Sequence, residues 1–467
     1  MFDTDSESGL LAEMSEAQRA ERRAVARRLL AAGRLCQLRM AEVHPDDRVN
    51  WCVDNWEAVA AEVGAELGIT RHRASSQMNY GIELLQRLPK LGAVFAAGEV
   101  EFRIIAVAVF RTGLITDADV LATIDAQLAD RAPRWNALSQ KRVAEAVDWL
   151  VRDLDPAAER VARQNDIDRH VEIGPGRDGL ADLWGSVRSP DAAALDRRLT
   201  ELAGTVCPDD SRTTRQRRAD ALAALAAGAT AMVCDCGSPD CPATTDGAEP
   251  GQIVIHLLAE AGTLTGASDR PALQPGYGAV PPGTARAMAA RARLRQLAAP
   301  HQLHAEAQYR PSAALADFIR CRDLTCRFPG CDKPAEVCDI DHTVPWGRGG
   351  PTHPSNLALL CRAHHLLKTF WTGESGWRET QFPDGRILWT SPSGRTYTTT
   401  PGGAAFFPQM AEPTGELHPD APPMPPSRGH TLMMPTRRRS RAEERAARIA
   451  WERGLNQARW DADPPPF

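Results

Sequence analysis

Residues 338–350 read CDIDHTVPWGRGG, and residues 356–370 read NLALLCRAHHLLKTF. The first stretch starts as a β-prone run whose alternate side chains point to opposite faces. Pro345, followed by Gly347, Gly349 and Gly350, ends that run and opens a loop. The second stretch carries an apolar run into a helix that bears His364 and His365. A strand, a loop and a histidine-bearing helix can surround one small reaction centre, with Asp341 and His342 where the strand gives way to the loop.

Cysteine and histidine concentrate around this stretch. Cys321, Cys326, Cys331, Cys338 and Cys361 lie close to His342, His353, His364 and His365. The chain has eleven cysteines, an odd number, and no export signal, so clustering predicts a metal before a disulfide framework. CRFPGC (326–331) can place two thiolates on one ion, bent by Pro329 and Gly330. Cys361 lies three residues before His364 and four before His365, so either histidine can share its helix face. Cys326, Cys331, Cys361 and one histidine make a Cys3His set of the kind zinc favours, with Cys321 and Cys338 as competing cysteines. A short loop-rich unit has little core, so such a metal would supply much of its folding energy.

The ordered series DH-x2-P, GG, NL-x2-LC-x2-HH-x2-K resembles the HNH endonucleases, which carry the ββα-metal (His-Me finger) fold. The resemblance implies phosphodiester hydrolysis, with DNA as the expected partner. By it, His342 is the general base, its near-neutral pKa suited to taking a proton from water. Asp341 and His365 would hold one divalent cation, Mg2+ or Mn2+, with Ni2+ or Zn2+ compatible with the imidazole. Asn356 would pin the loop that aims His342. The family's order assigns His364 to the structural zinc and His365 to the catalytic cation; spacing alone leaves the two open. The rival is a non-catalytic, zinc-stabilised nucleic-acid-binding protein. Asp341, His342, Asn356 and His365 together favour the enzyme, because the knuckle needs only its Cys and His ligands.

The rest of the chain sets the context. Its 467 residues allow several domains, and 43% apolar content allows a sizeable core. With a net charge of −5, any nucleic-acid binding must come from local patches. Residues 317–372 hold seven basic and six acidic residues, a weak electrostatic trap. Lys368 and Arg348 are read as solvated charges before phosphate contacts. The acidic N-terminus, with no apolar run after a basic start, predicts no signal peptide. No apolar stretch is long enough to span a bilayer, so a soluble cytoplasmic protein is expected, without a membrane partner. The oligomeric state is open.

Helical periodicity predicts helices over 15–39, 54–68, 73–88, 116–130, 138–153, 190–205 and 212–228. The expected fold class is a mainly α N-terminal region and a small α+β C-terminal HNH domain with a zinc knuckle. A disordered Pro-rich segment and a basic helical tail follow. The expected boundaries are 1–265 for the helical domain, 266–310 for a linker and helix, 311–400 for the HNH domain and 401–467 for the Pro-rich linker and tail. Within this plan, 251–266 reads as a strand or hairpin, 268–283 as linker and 377–399 as hairpins. AAEVGAELGITRHRAS (60–75) resembles a helix-turn-helix, with Thr70 as N-cap and Arg71 and Arg73 early in the second helix; a plain helical hairpin is the preferred reading. The tail arginines Arg437, Arg438, Arg439 and Arg441 either bind phosphate or form a solvated helix. CDCGSPDC (234–241) reads as a turn of reduced cysteines before a metal site, for which His256 is a candidate fourth ligand. The complete layout, including RQRRADALAAL (215–225), also resembles a group of actinobacterial HNH proteins whose N-terminal domain has no known function.

Overall fold

The computed structural model describes residues 6–41, 48–160, 169–176, 179–241, 243, 256–290, 292–373, 376–415 and 433–462. The chain forms two compact units, one from residues 1–161 with 296–467 and the other from residues 162–295.

The first unit opens with seven helices: α1 (Glu7–Ala41), α2 (Asn55–Leu67), α3 (Arg71–Gln86), α4 (Pro89–Ala96), α5 (Phe102–Arg111), α6 (Ala118–Arg131) and α7 (Gln140–Leu154). Leu29, Phe95, Ile104, Ile124, Leu128 and Val147 meet in their core. α1 and α3 cross backbone to backbone: a Cβ on Gly33 would lie 2.6 Å from the carbonyl carbon of Gly81. α4 and α5 fall outside the predicted helices. FRIIAVAVFR (102–111) is a short run rich in Ile and Val, ambiguous between strand and helix, and it forms a helix buried at Ile104, Ile105, Val107, Ala108 and Val109.

The second unit contains the hairpin β1 (His170–Pro175) and β2 (Ala181–Ser186), then α8 (Ser189–Ala203), α9 (Thr214–Ala226) and α10 (Ala261–Thr265). Of the strand or hairpin expected over 251–266, Leu258 bridges antiparallel to Leu273, the last part is instead α10, and residues 251–255 lie outside the described residues. The expected linker over 268–283 contains a hairpin, β3 (Ala272–Gln274) paired with β4 (Gly278–Val280), followed by α11 (Pro282–Ala289).

The remainder of the first unit holds α12 (Ala313–Asp323), β5 (Cys338–His342), β6 (Leu357–Cys361), α13 (Arg362–Phe370), the three strands β7 (Arg378–Gln381), β8 (Ile387–Thr390) and β9 (Thr396–Thr399), and α14 (Arg441–Ala462). β5 and β6 are antiparallel, with Cys338 opposite Cys361 and His342 opposite Leu357; α13 follows β6 directly, completing a ββα unit. The β7–β8–β9 meander turns at the predicted Pro-Asp-Gly and Pro-Ser-Gly sites. Part of the Pro-rich stretch is ordered: Gly402–Ala405 and Pro408–Ala411 form short 3-10 turns, the first packed closely on the backbone of Cys321 and Arg322. Residues 416–432 lie outside the described residues.

The tail is a helix, and its arginines meet acids of the helical region. Arg437 and Arg441 pair with Asp54 at 3.0 and 3.2 Å. Arg441 also pairs with Glu57 at 2.6 Å, and Arg453 with Asp155 at 2.7 Å. These contacts occupy charge that would otherwise be offered to phosphate.

Candidate active site and metal centre

The ββα unit sorts its side chains by strand alternation and helix rotation. On β5, His342 points inward and is 4% exposed. Its ring lies flat against Tyr309, with centroids 5.2 Å apart and planes 12° apart, and Trp346 approaches edge-on. Its Nε2 lies 2.9 Å from the Thr352 hydroxyl, which donates its hydrogen to the carbonyl of Gln308 at 2.6 Å. A hydroxyl has one hydrogen, so toward His342 it accepts. His342 is thereby fixed as the Nε2–H tautomer, with the lone pair on Nδ1. Burial lowers the His342 pKa, Asp341 partly offsets this, and Lys368 lowers it further. The imidazole is therefore held in its neutral, proton-accepting form.

Asn356 is fully buried and ties the loop together. Its Oδ1 accepts from the Val344 amide at 2.8 Å, and its Nδ2 donates to the carbonyls of Val344 and Pro351 at 3.0 and 2.9 Å. Beneath it, Arg322 donates to the carbonyls of Pro354 and Leu357 at 2.7 and 2.6 Å, and Asp323 accepts from the Leu359 amide at 2.9 Å. Burial alone would raise the Asp323 pKa, but Arg322 and Arg327 hold it below the usual carboxylate range. This buried ion network fixes the loop-to-β6 junction from which Asn356 reaches.

Asp341 points the other way from His342, toward α13. Its Oδ1 is 3.4 Å from His365 Nε2. His365 Nδ1 lies 2.8 Å from Asp339 Oδ2, so the ring sits between two carboxylates. A carboxylate oxygen from β5 and an imidazole nitrogen from α13 thus converge as a donor pair of the kind a divalent cation accepts. Lys368 is not a solvated charge: it is largely buried and donates to Asp341 Oδ2 at 2.7 Å and to the His342 carbonyl at 2.6 Å, and it pairs with Glu379 at 2.7 Å. Burial, opposed by Lys368, raises the Glu379 pKa. Arg348 is exposed.

On the neighbouring face of α13, His364 is buried and stacks on Phe328, with centroids 4.0 Å apart. Its Nδ1 lies 3.4 Å from both Cys326 Sγ and Cys361 Sγ. Cys331 Sγ is 4.0 Å from Cys361 Sγ, and the four ligand atoms all lie within 4.8 Å of one another. Burial, reinforced by the neighbouring thiols, raises the Cys326 pKa, while hydrogen bonds from Cys326 and Cys331 lower that of Cys361. Three sulfurs and one imidazole nitrogen converging at this spacing suit a soft cation. Cys321 and Cys338 fall outside this group.

Three residues of the site were missed in the sequence, and a fourth, Lys368, was named but read as a solvated charge. Asp339 had a readable signal, being two residues before Asp341 and so on the same strand face. Lys368 lies three residues after His365 on one helix face. Thr352 and Glu379 reach the site through the fold and carry no local signal. The α2–α3 turn, which resembles a helix-turn-helix, is a helical hairpin facing the knuckle. Thr70 does cap α3, accepting from the Arg73 amide. However, Arg71 is ion-paired with Glu57, and a Cβ on Gly330 would meet the Ile69 carbonyl at 2.5 Å. The knuckle loop therefore covers this turn.

Residues 16–323 match the family described as a domain of unknown function, DUF222, and residues 324–370 match the HNH endonuclease family. The uncharacterized protein Rv3776 of Mycobacterium tuberculosis is 45% identical, over 98% of this chain and 92% of its own length. The uncharacterized protein Rv2100 of the same organism is 44% identical, over 97% of this chain and 88% of its own length. No solved structure matches the chain.

Proposed function

Since the chain belongs to the family that joins a DUF222 domain to an HNH endonuclease domain, we propose that it is a metal-dependent endonuclease hydrolysing phosphodiester bonds in DNA. The observation that carries this reading is the Asp341–His365 pair, carboxylate oxygen to imidazole Nε2 at 3.4 Å, beside a buried histidine whose tautomer leaves Nδ1 free to accept a proton.

Asp341 and His365 would hold one divalent cation, Mg2+ or Mn2+. When bound there, the cation supplies charge stabilisation at the phosphorus and at the leaving 3′-oxygen. His342 Nδ1 takes the proton from the attacking water, and the imidazolium that forms keeps its Nε2–H on Thr352. Asn356 fixes the loop so that this ring faces the scissile phosphate. Lys368 engages Asp341 Oδ2 and leaves Oδ1 toward His365. Asp339 holds His365 in the tautomer that presents Nε2. Cys326, Cys331, Cys361 and His364 hold a zinc ion that joins the knuckle loop to α13; they supply structure and take no part in proton transfer.

The test is cleavage of supercoiled plasmid with Mg2+ or Mn2+ by the full chain and by His342→Ala, with zinc content measured on both. General-base removal should slow cleavage by roughly 10²–10⁴-fold while zinc is retained. Equal cleavage by both proteins would overturn the assignment of His342. DNA binding without cleavage by either protein would support the rival reading, a zinc-stabilised binding module.

A further inference from the structure

A second sulfur cluster lies in the 162–295 unit, outside the HNH domain. α8 and α9 pack around a small core of Leu202, Val206, Ala221 and Met232. After α9 the chain returns to the segment following α8, and Cys234 Sγ comes within 3.4 Å of Cys207 Sγ. The sulfurs of Cys207, Cys234, Cys236 and Cys241 all lie within 4.8 Å of one another. Cys207, which CDCGSPDC by itself does not reveal, completes the set; His256 is not part of it.

Contacts that involve no sulfur hold the two segments together. The buried Asp210 carboxylate accepts from the Asp235 amide at 2.8 Å and from Arg212 at 2.7 Å. Arg212 donates to the Val233 carbonyl at 2.8 Å, and Ser211 donates to Asp235 at 2.6 Å. The convergence of the four sulfurs is thus built into the backbone path. The loop CGSPDC (236–241) repeats the Cys-x2-Pro-x-Cys pattern of the knuckle loop CRFPGC (326–331). Each loop turns at a glycine with positive φ, +69° at Gly237 and +75° at Gly330.

We propose that Cys207, Cys234, Cys236 and Cys241 bind one Zn2+ as a structural site of this unit. Four thiolates around zinc at about 2.3 Å would sit about 3.8 Å from one another, close to the spacing the cluster already has. A set of four protein ligands leaves no open position, which marks a structural rather than a catalytic centre. Soft sulfur donors select zinc over Mg2+ or Mn2+. The α8–α9 core beside the cluster holds only four buried side chains among the described residues, so a metal staple there has a clear role.

The experiment measures metal content by mass spectrometry on the full chain, purified under reducing conditions, with Cys241→Ser and Cys361→Ser alongside. With the knuckle also loaded, the wild type should hold about two zinc ions per chain, and each variant should lose about one of them. A wild type with one zinc that Cys361→Ser removes and Cys241→Ser leaves in place overturns the proposal. One zinc that only Cys241→Ser removes supports it and counts against the knuckle instead. Iron in place of zinc, or a Cys207–Cys234 disulfide in the reduced preparation, also overturns it. Should Cys241→Ser fail to fold, Co2+ replacement in Cys361→Ser decides: thiolate-to-cobalt absorption should persist there from the second site, and its complete loss would refute that site.

Discussion

Two adjacent histidines on α13 have opposite surroundings. His364 is buried against the Phe328 ring and faces sulfur. His365 is partly exposed and faces the oxygens of Asp339 and Asp341. One residue on a helix turns the side chain by about 100°, enough to separate a dry, soft-donor pocket from a wetter, hard-donor one. The same backbone carries both. Damage at the sulfur side should therefore reach the oxygen side, while damage at the oxygen side should stay local.

That asymmetry predicts the largest effects. His364→Ala should lose the knuckle zinc, lower the melting temperature and abolish cleavage. Structural zinc in small peptides is worth on the order of 10 kcal/mol, which bounds the stability loss from above because Trp377, Trp389 and Leu360 pack the same core. His365→Ala should keep its zinc and its melting temperature yet lose cleavage. Zinc content, thermal melts and plasmid cleavage on the two variants read this directly. Zinc lost from His365→Ala but kept by His364→Ala would exchange the two roles.

A smaller effect should come from the hydroxyl that sets the His342 tautomer. Thr352→Val removes the acceptor for Nε2–H while keeping the side chain's shape. Loss of such a supporting partner typically costs 10–100-fold, so cleavage should fall by roughly that much, in kcat more than in KM. Thr352→Ser should restore most of it. A Thr352→Val enzyme with wild-type rate would mean that stacking by Tyr309 alone orients the ring.

The difference between the two histidines was only partly legible in the sequence. Spacing put Cys361 on a face with either one, and only the fold separates them, by laying Phe328 on His364 and Asp339 beside His365. The strand–loop–helix frame around Asp341, His342 and Asn356 was legible because Pro345 and the glycines after it are strong local punctuation. The hairpins at 377–399 were legible for the same reason. α5 was not, since a ten-residue run rich in Ile and Val is ambiguous between helix and strand. β3 and β4 were hidden because Pro and Gly residues around them read as linker. Thr352 reaches His342 through the loop's return path, and Glu379 reaches Lys368 from a different sheet; neither has a signal in its own neighbourhood. The tail helix was legible as a helix, but its partners Asp54, Glu57 and Asp155 lie hundreds of residues away, so its role as an intramolecular clasp was not.

The smallest expected effect is a shift in the titration of His342. Its folded pKa lies below the ordinary 6.5, chiefly through burial, with Asp341 opposing and Lys368 reinforcing. In cation-free protein, NMR should therefore show the His342 ring protonating only below pH 6.5, later on acidification than a free imidazole. The sign for stability follows from proton counts. Between pH 6.5 and the folded value the unfolded chain binds the proton first, so the contribution of a neutral His342 is present above 6.5 and is lost as pH falls through that window. The base must be neutral to accept a proton, so cleavage should decline through the same acid range. Lys368→Met removes one cause of the depression and should move the titration upward, toward 6.5, whatever it does to the rate through Asp341. A downward shift in that variant would mean that burial deepens when Lys368 is lost. It would also mean that the ammonium on α13 does not set the charge state of the histidine across the strand.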